Sequence, residues 1–211
     1  MDTTMGTARI KTWAANFSLV LAGALWLFAI GIGLIKIYDY EFTPGPQGTL
    51  SSQWPTASSI KKPNDMFQFI MVVHPHCPCS RASMGELEKI MAHNQGKVNT
   101  YVLFVRPKQF DKTWVMTDLY QQALRIPGVQ VIIDDEGRLA ELFGATTSGQ
   151  TFLYDKTGNL IFTGGITESR GHAGDNVGSD TVNALINHRL VSVHKTKFFG
   201  CSITGKPKAR G

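Results

Sequence analysis

Cysteine is scarce in this sequence. Three in 211 residues are too few to staple a fold, which excludes a disulfide scaffold. Two of the three, Cys77 and Cys79, stand almost side by side, a spacing that reads as chemistry. Acidic residues are missing after His194, while Lys195, Lys197, Lys206, Lys208 and Arg210 fall there. Those five account for the whole net charge of +5, so the rest of the chain is neutral. No basic stripe remains to hold a nucleic acid, and the basic tail, 191–211, reads as a solvated segment. Repeats and low-complexity blocks are absent too. The apolar fraction of 43% excludes wholesale disorder, and the length suits one globular domain with additions.

Charge is also absent from Phe17 to Ile35, FSLVLAGALWLFAIGIGLI. Such a run is long enough to span a bilayer core. It is apolar all round, which argues against a buried core helix. The sequence after it, Lys-Ile-Tyr-Asp-Tyr, holds no small-residue cleavage site, so an uncleaved anchor is expected over residues 17–38. Membrane lipid is then the partner of this helix, and Tyr38 and Tyr40 fall where an aromatic belt sits. Arg9 and Lys11 precede the span. The positive-inside rule therefore puts residues 1–16 in the cytoplasm and everything after the helix on the exported, periplasmic side of the inner membrane.

Residues 39–64 carry Pro44, Gly45, Pro46, Gly48, Pro55 and Pro63, a composition that predicts an extended, semi-stiff linker. A domain over 65–190 follows. Met66–Val73 reads as a buried strand, Ser80–His93 as a helix with Ala82, Leu87, Ile90 and Met91 at helical spacing, and Val98–Val105 as a second strand. Trp114–Leu124 reads as a helix stopped by Pro127 and Gly128, Val129–Ile133 as a strand and Glu136–Phe143 as a short helix. Thr151–Asp155 and Asn159–Thr163 flank a tight turn, and Asp180–Leu190 closes with a helix. This alternation predicts an α/β fold: a mixed sheet with helices on both faces and an antiparallel hairpin at its edge.

The first strand ends in VVHPHCPCSRAS, Val72–Ser83, and a helix follows directly. Cys77 thus lies just before a helix N-terminus, whose free N–H groups and dipole favour a thiolate. A thiolate is the nucleophile of thiol–disulfide exchange.

This strand–cysteine–helix arrangement resembles the thioredoxin superfamily. Laid on without gaps, Cys77 takes the first cysteine position of Cys-x-x-Cys, and Ser80 takes the place of the second. The chain therefore has Cys-x-Cys-Ser, with Cys79 between them. Val131–Phe162 is similar to the membrane-anchored branch of that superfamily. Where the family carries a cis-proline, this chain has Gln150 after Gly149, so a trans bond is expected. More narrowly, the chain resembles the RedB-like proteins in four stretches: CPCSRAS (Cys77–Ser83), SGQT (Ser148–Thr151), GGITESRGHAGDN (Gly164–Asn176) and FGC (Phe199–Cys201). The resemblance implies a thioredoxin-like, membrane-anchored protein. It also implies that Gln150 and the glycine-rich stretch reach the cysteine edge, with His76, Ser80, Gln150, Arg170 and His172 in support and Asp175 and Asn176 facing Cys77.

The resulting expectation is a thiol–disulfide oxidoreductase in which Cys77 attacks and Cys79 resolves. It needs no cofactor, and its partner is a protein thiol or disulfide. Cys201 is a possible third thiol, docked by Phe198, Phe199 and Ile203. The alternative is a copper- or zinc-binding module built on His74, His76, Cys77 and Cys79, although four ligands from six residues strain to form a tetrahedron. A peroxidase is disfavoured, because the positions three and seven before the reactive cysteine hold His74 and Ile70 rather than Thr or Ser and Pro.

Overall fold

The computed structural model describes residues 4–62 and 65–203. The side chains of Arg9 and Lys11 and the tail cations Lys206, Lys208 and Arg210 lie outside the described part. The chain divides into two units, residues 1–41 and 42–211.

The first unit is one helix, α1 (Thr4–Phe42). It outruns the expected span at both ends because no proline interrupts it until Pro44, and the residue before a proline disfavours helical geometry. Within it, Asn16–Phe42 has a mean hydropathy of 2.3 and is long and apolar enough to cross a membrane. Leu25, Trp26, Leu27 and Phe28 are all exposed, so the apolar surface goes right round the helix.

The second unit is built on a five-stranded sheet ordered β3-β2-β1-β4-β5. Its strands are β1 (Phe67–Val73), β2 (Val98–Arg106), β3 (Val129–Asp135), β4 (Gln150–Tyr154) and β5 (Leu160–Gly164). β1, β2 and β3 run parallel, β4 runs antiparallel to β1, and β5 completes the hairpin. The helices are α2 (Ser80–His93), α3 (Asp118–Arg125), α4 (Arg138–Phe143) and α5 (Val177–Ile186). The architecture is the expected one, a thioredoxin-like mixed sheet.

Pleating sorts the side chains into two cores. Phe67, Phe69, Met71 and Val73 of β1 point to one face, where Met84, Leu87 and Ile90 of α2, Leu119 of α3 and Val182 of α5 cover them. Ile70 and Val72 point to the other face, with Leu103, Phe152 and Tyr154. Among the described residues only α4, six residues long, supplies a helix there.

That shortage explains the clearest departure from the sequence reading. The linker segment is not a free spacer. From Thr43 on it lies across the second face, where Leu50, Trp54 and Ile60 fill the core that α4 leaves open. The Trp54 ring sits edge-on to Phe143 and Tyr154, with centroids 5.2 and 5.3 Å away. Trp54 N–H donates to the Gly158 carbonyl at 2.8 Å, and Leu160 N–H donates to the Ser52 carbonyl at 2.9 Å. Proline-rich composition dictates extended backbone, and extended backbone is free to pair with a sheet edge.

Smaller departures have local causes. The helix expected over Trp114–Leu124 divides into a short 3-10 turn, Lys112–Val115, and α3, because Asp111 caps the first and Thr117 the second. The last helix starts earlier than expected, at Val177, because the Asn176 side chain accepts from Ser179 N–H at 2.8 Å. It ends at Ile186, and His188 follows in a left-handed conformation at φ 54°.

Candidate functional site

β1 delivers its chain end to the cysteines, and α2 takes over after them. Two turn bonds shape the passage: Cys77 N–H donates to the His74 carbonyl at 3.0 Å, and Ser80 N–H to the Cys77 carbonyl at 3.1 Å. Cys79 occupies the N-cap of α2, and no side-chain oxygen caps this helix. Its first N–H groups close turns instead, Ser80 on the Cys77 carbonyl and Arg81 on the Pro78 carbonyl at 3.3 Å.

Cys77 and Cys79 are 1% and 7% exposed. All three cysteines are free thiols, and all three meet at Cys77. Cys201 N–H donates to Cys77 Sγ at 3.4 Å. The Cys201 thiol donates to the same sulfur, and the Ser80 hydroxyl and N–H add to it; together they outweigh burial and hold Cys77 well below the ordinary thiol range, at about 4. Cys201 keeps its proton because it gives that hydrogen bond to the thiolate, and its own pKa is raised. Burial, and next the Cys77 charge, raise Cys79, while Arg170 partly offsets them. The arrangement is one thiolate receiving hydrogen bonds from its neighbours, with two protonated thiols beside it.

Ser148 organises the surround, and the sequence reading gave it no role of its own. Its hydroxyl accepts from His74 N–H at 2.7 Å and lies 2.7 Å from the Ser80 hydroxyl. Its N–H donates to the Cys201 carbonyl at 2.8 Å. Gly149 follows at φ 86°, a conformation that favours glycine, and its N–H donates to the Val72 carbonyl at 2.8 Å. The described residues contain no cis peptide bond, so the bond to Gln150 is trans, as expected. Gln150 is buried and braces this loop: its Oε1 accepts from Thr146 N–H at 3.1 Å. It pairs with Val72 at the end of β1, five residues before Cys77.

The glycine-rich stretch contributes Arg170. Its Nη1 donates to the Gly200 carbonyl at 2.6 Å and its Nη2 to the Thr43 carbonyl at 3.3 Å, and its charge acts on Cys79. The rest of the stretch corrects the sequence expectation. His172 is exposed and folds back on its own loop, 2.8 Å from the Ser169 hydroxyl. Asn176 serves as the cap of α5, and the Asp175 charge acts on Lys89 of α2, so neither is spent on the sulfur site. Glu86 of α2 holds the stretch in place by accepting from Gly174 N–H at 2.9 Å.

The two histidines of the alternative metal set are committed elsewhere. His74 Nδ1 accepts from His76 N–H at 3.2 Å, and burial lowers the His74 pKa. His76 is exposed, packs its ring on Trp114 at 4.5 Å, and bonds through Nε2 to the Trp114 carbonyl at 2.9 Å. A carbonyl accepts, so that nitrogen carries a proton and has no lone pair for a metal. Among the described residues, no three His, Cys, Asp or Glu side chains are disposed to hold a metal ion.

No family profile and no curated protein sequence matches the chain. Solved structures do. A conserved protein from Geobacillus kaustophilus overlays with a TM-score of 0.57 at 21% identity, covering 80% of this chain and 97% of that one. A protein from Sinorhizobium meliloti 1021 overlays with a TM-score of 0.58 at 16% identity, covering 76% and 98%. A secreted disulfide oxidoreductase from Mycobacterium tuberculosis overlays more loosely, with a TM-score of 0.43 at 12% identity over 60% and 84%. Sheet order, hairpin and cysteine–helix junction together give the second unit a thioredoxin-like fold, and a helix long enough to span a membrane precedes it in the chain.

Proposed function

We propose that this chain is a membrane-anchored thiol–disulfide oxidoreductase whose nucleophile is Cys77. The observation that carries this reading is the placement of Cys77 at the head of α2 with Cys201 N–H on its Sγ at 3.4 Å, where Cys201 and Ser80 hold its pKa down against burial. Anionic sulfur attacks disulfides, and the leaving sulfur takes the proton. Cys79, held protonated by burial, is the thiol that resolves the mixed disulfide and closes a Cys77–Cys79 bond. Ser80 and Ser148 orient the nucleophile, Arg170 supports charge on Cys79, and Gln150 fixes the loop. Electrons pass only between sulfurs, so no cofactor is needed; the partner is a protein thiol or disulfide. The four RedB-like stretches support placing the chain among those proteins: Cys77, Ser80, Ser148, Arg170 and Cys201 of the site all come from them.

The test is a redox titration of the full chain in detergent against the reduced and oxidised glutathione couple, read by thiol counting. A two-electron transition that consumes two thiols, Cys77 among them, is expected. A chain whose Cys77 stays a thiol across the whole range excludes the reading.

For sidedness, the proposal is a cytoplasmic N-terminus and an exported domain on the periplasmic face of the inner membrane. A reporter enzyme that works only after export, fused after Gly211, should be active. Activity of a cytoplasm-only reporter at that position would reverse the orientation.

A further inference from the structure

The last described segment of the chain, from His194 to Ile203, is built into the site. It first runs beside β5, where Thr163 N–H donates to the His194 carbonyl at 3.1 Å and Gly165 N–H to the Lys197 carbonyl at 3.1 Å. It then turns over the end of the sheet on buried Phe198 and Phe199. Finally it pairs antiparallel with the loop before β4, in a bridge between Thr147 and Ser202. Ser148 N–H to the Cys201 carbonyl and Ile203 N–H to the Thr146 carbonyl, at 2.8 and 3.1 Å, frame that bridge. Gly200 passes so close to the Ser148 carbonyl that a Cβ there would overlap it. Arg170 grips the Gly200 carbonyl at 2.6 Å. A cysteine held by its backbone on both sides, with its own N–H on another cysteine's sulfur at 3.4 Å, is a presented thiol.

Building on the reading of Cys77 as nucleophile, we propose that Cys201 is a second resolving thiol. It accepts the disulfide from Cys77 through an internal strand that occupies the edge beside the site. Cys79 and Cys201 differ in what bonding to Cys77 demands. Cys79 is the helical N-cap, at φ −65° and ψ −28°, two residues along the chain with Pro78 between, so a bond closes a small ring across a fixed proline φ. Cys201 comes from a separate strand whose backbone already touches the target sulfur.

The Cys77 thiolate attacks an external disulfide; a Cys77–S–R bond forms, the external S–S bond breaks, and the departing thiolate takes a proton from water. The Cys201 sulfur then attacks Cys77 Sγ. The Cys77–Cys201 bond forms, the Cys77–S–R bond breaks, and the Cys201 proton ends on the departing sulfur. Two electrons pass from the Cys77–Cys201 pair to the external disulfide, which becomes two thiols. Entry is from the side of α3, where a 190 Å³ cavity lined by His76, Cys77, Pro78, Arg81 and Thr117 contains no residue of the strand.

The experiment uses the full reduced chain in detergent with glutathione disulfide as the probe, followed by acid quenching and mass spectrometry of unreduced digests. The Cys79→Ser chain should yield a linked Cys77–Cys201 peptide and retain no glutathione. The Cys79→Ser/Cys201→Ser chain should retain glutathione on Cys77. Cys201→Ala in the same background repeats the readout should serine disturb the strand. Glutathione retained on Cys77 in Cys79→Ser as in the double variant overturns the second resolving role and leaves the nucleophile standing. A double variant that takes up no glutathione at Cys77 overturns both.

Discussion

Replacing Cys77 with serine should lower exchange with glutathione disulfide on the order of 10³-fold or more, because a serine hydroxyl stays protonated at neutral pH and does not attack sulfur. The side chain is almost the same size and its surroundings are polar: Ser80, Cys201 N–H and the α2 N-terminus all remain to meet an oxygen. The unfolding midpoint should therefore move little, which separates lost chemistry from lost structure. The measurement is the initial rate of glutathione release, beside a thermal melt of the same preparation. Exchange within about tenfold of the parent rate would pass the nucleophile's role to Cys79.

Replacing Trp54 with alanine should destabilise the domain by about 3 kcal/mol, the low end for a large aromatic because the ring is only half-buried. The ring closes the face that α4 leaves uncovered, and its contacts with Phe143 and Tyr154 are both edge-on. For a domain of this size the midpoint should fall by roughly 6–12 °C. The linkage is local, since the Tyr154 hydroxyl donates to the Ser51 carbonyl at 3.0 Å and Asn159 pairs with Gln53 in the same strip. A free spacer would show a loss under about 0.5 kcal/mol, the range of ordinary surface changes.

What could be read from sequence followed from patterns that are purely local. The first strand, the α2 helix from Ser80 to His93 and the β4–β5 hairpin each carry their own periodicity, and all three were placed within a residue or two. Cap residues were harder, because Asp111, Thr117 and Asn176 act only once the backbone presents N–H groups to them. Read as part of a continuous apolar spacing, Trp114 to Leu124 looked like one helix. The linker was harder again. Leu50, Trp54 and Ile60 are too widely spaced for any period, and what recruits them is a sheet face left open by a six-residue helix elsewhere. The site follows the same pattern. Cys77, Cys79 and Ser80 announce themselves by sequence neighbourhood, and Arg170 and Cys201 through motif resemblance. Ser148 was visible only as a letter in SGQT. Its function depends on meeting His74, Ser80 and Cys201 from three distant stretches. Conversely, His172 and Asn176 have the right chemistry but spend it on loop closure and helix capping.

Cys77 is a thiolate where its neighbours are thiols. A small alkylating agent reports this through the pH dependence of the modification rate at each cysteine, resolved by mass spectrometry. An ordinary thiol slows about tenfold for each pH unit below roughly 8.5. With its pKa at about 4, Cys77 should keep a nearly constant rate as the pH is lowered from about 8 to about 5. Cys79, its pKa raised by burial and by the Cys77 charge, should slow steadily over the same range, so that Cys77 is labelled first in mild acid. Parallel tenfold losses at both cysteines, or labelling of Cys79 ahead of Cys77, would contradict the account.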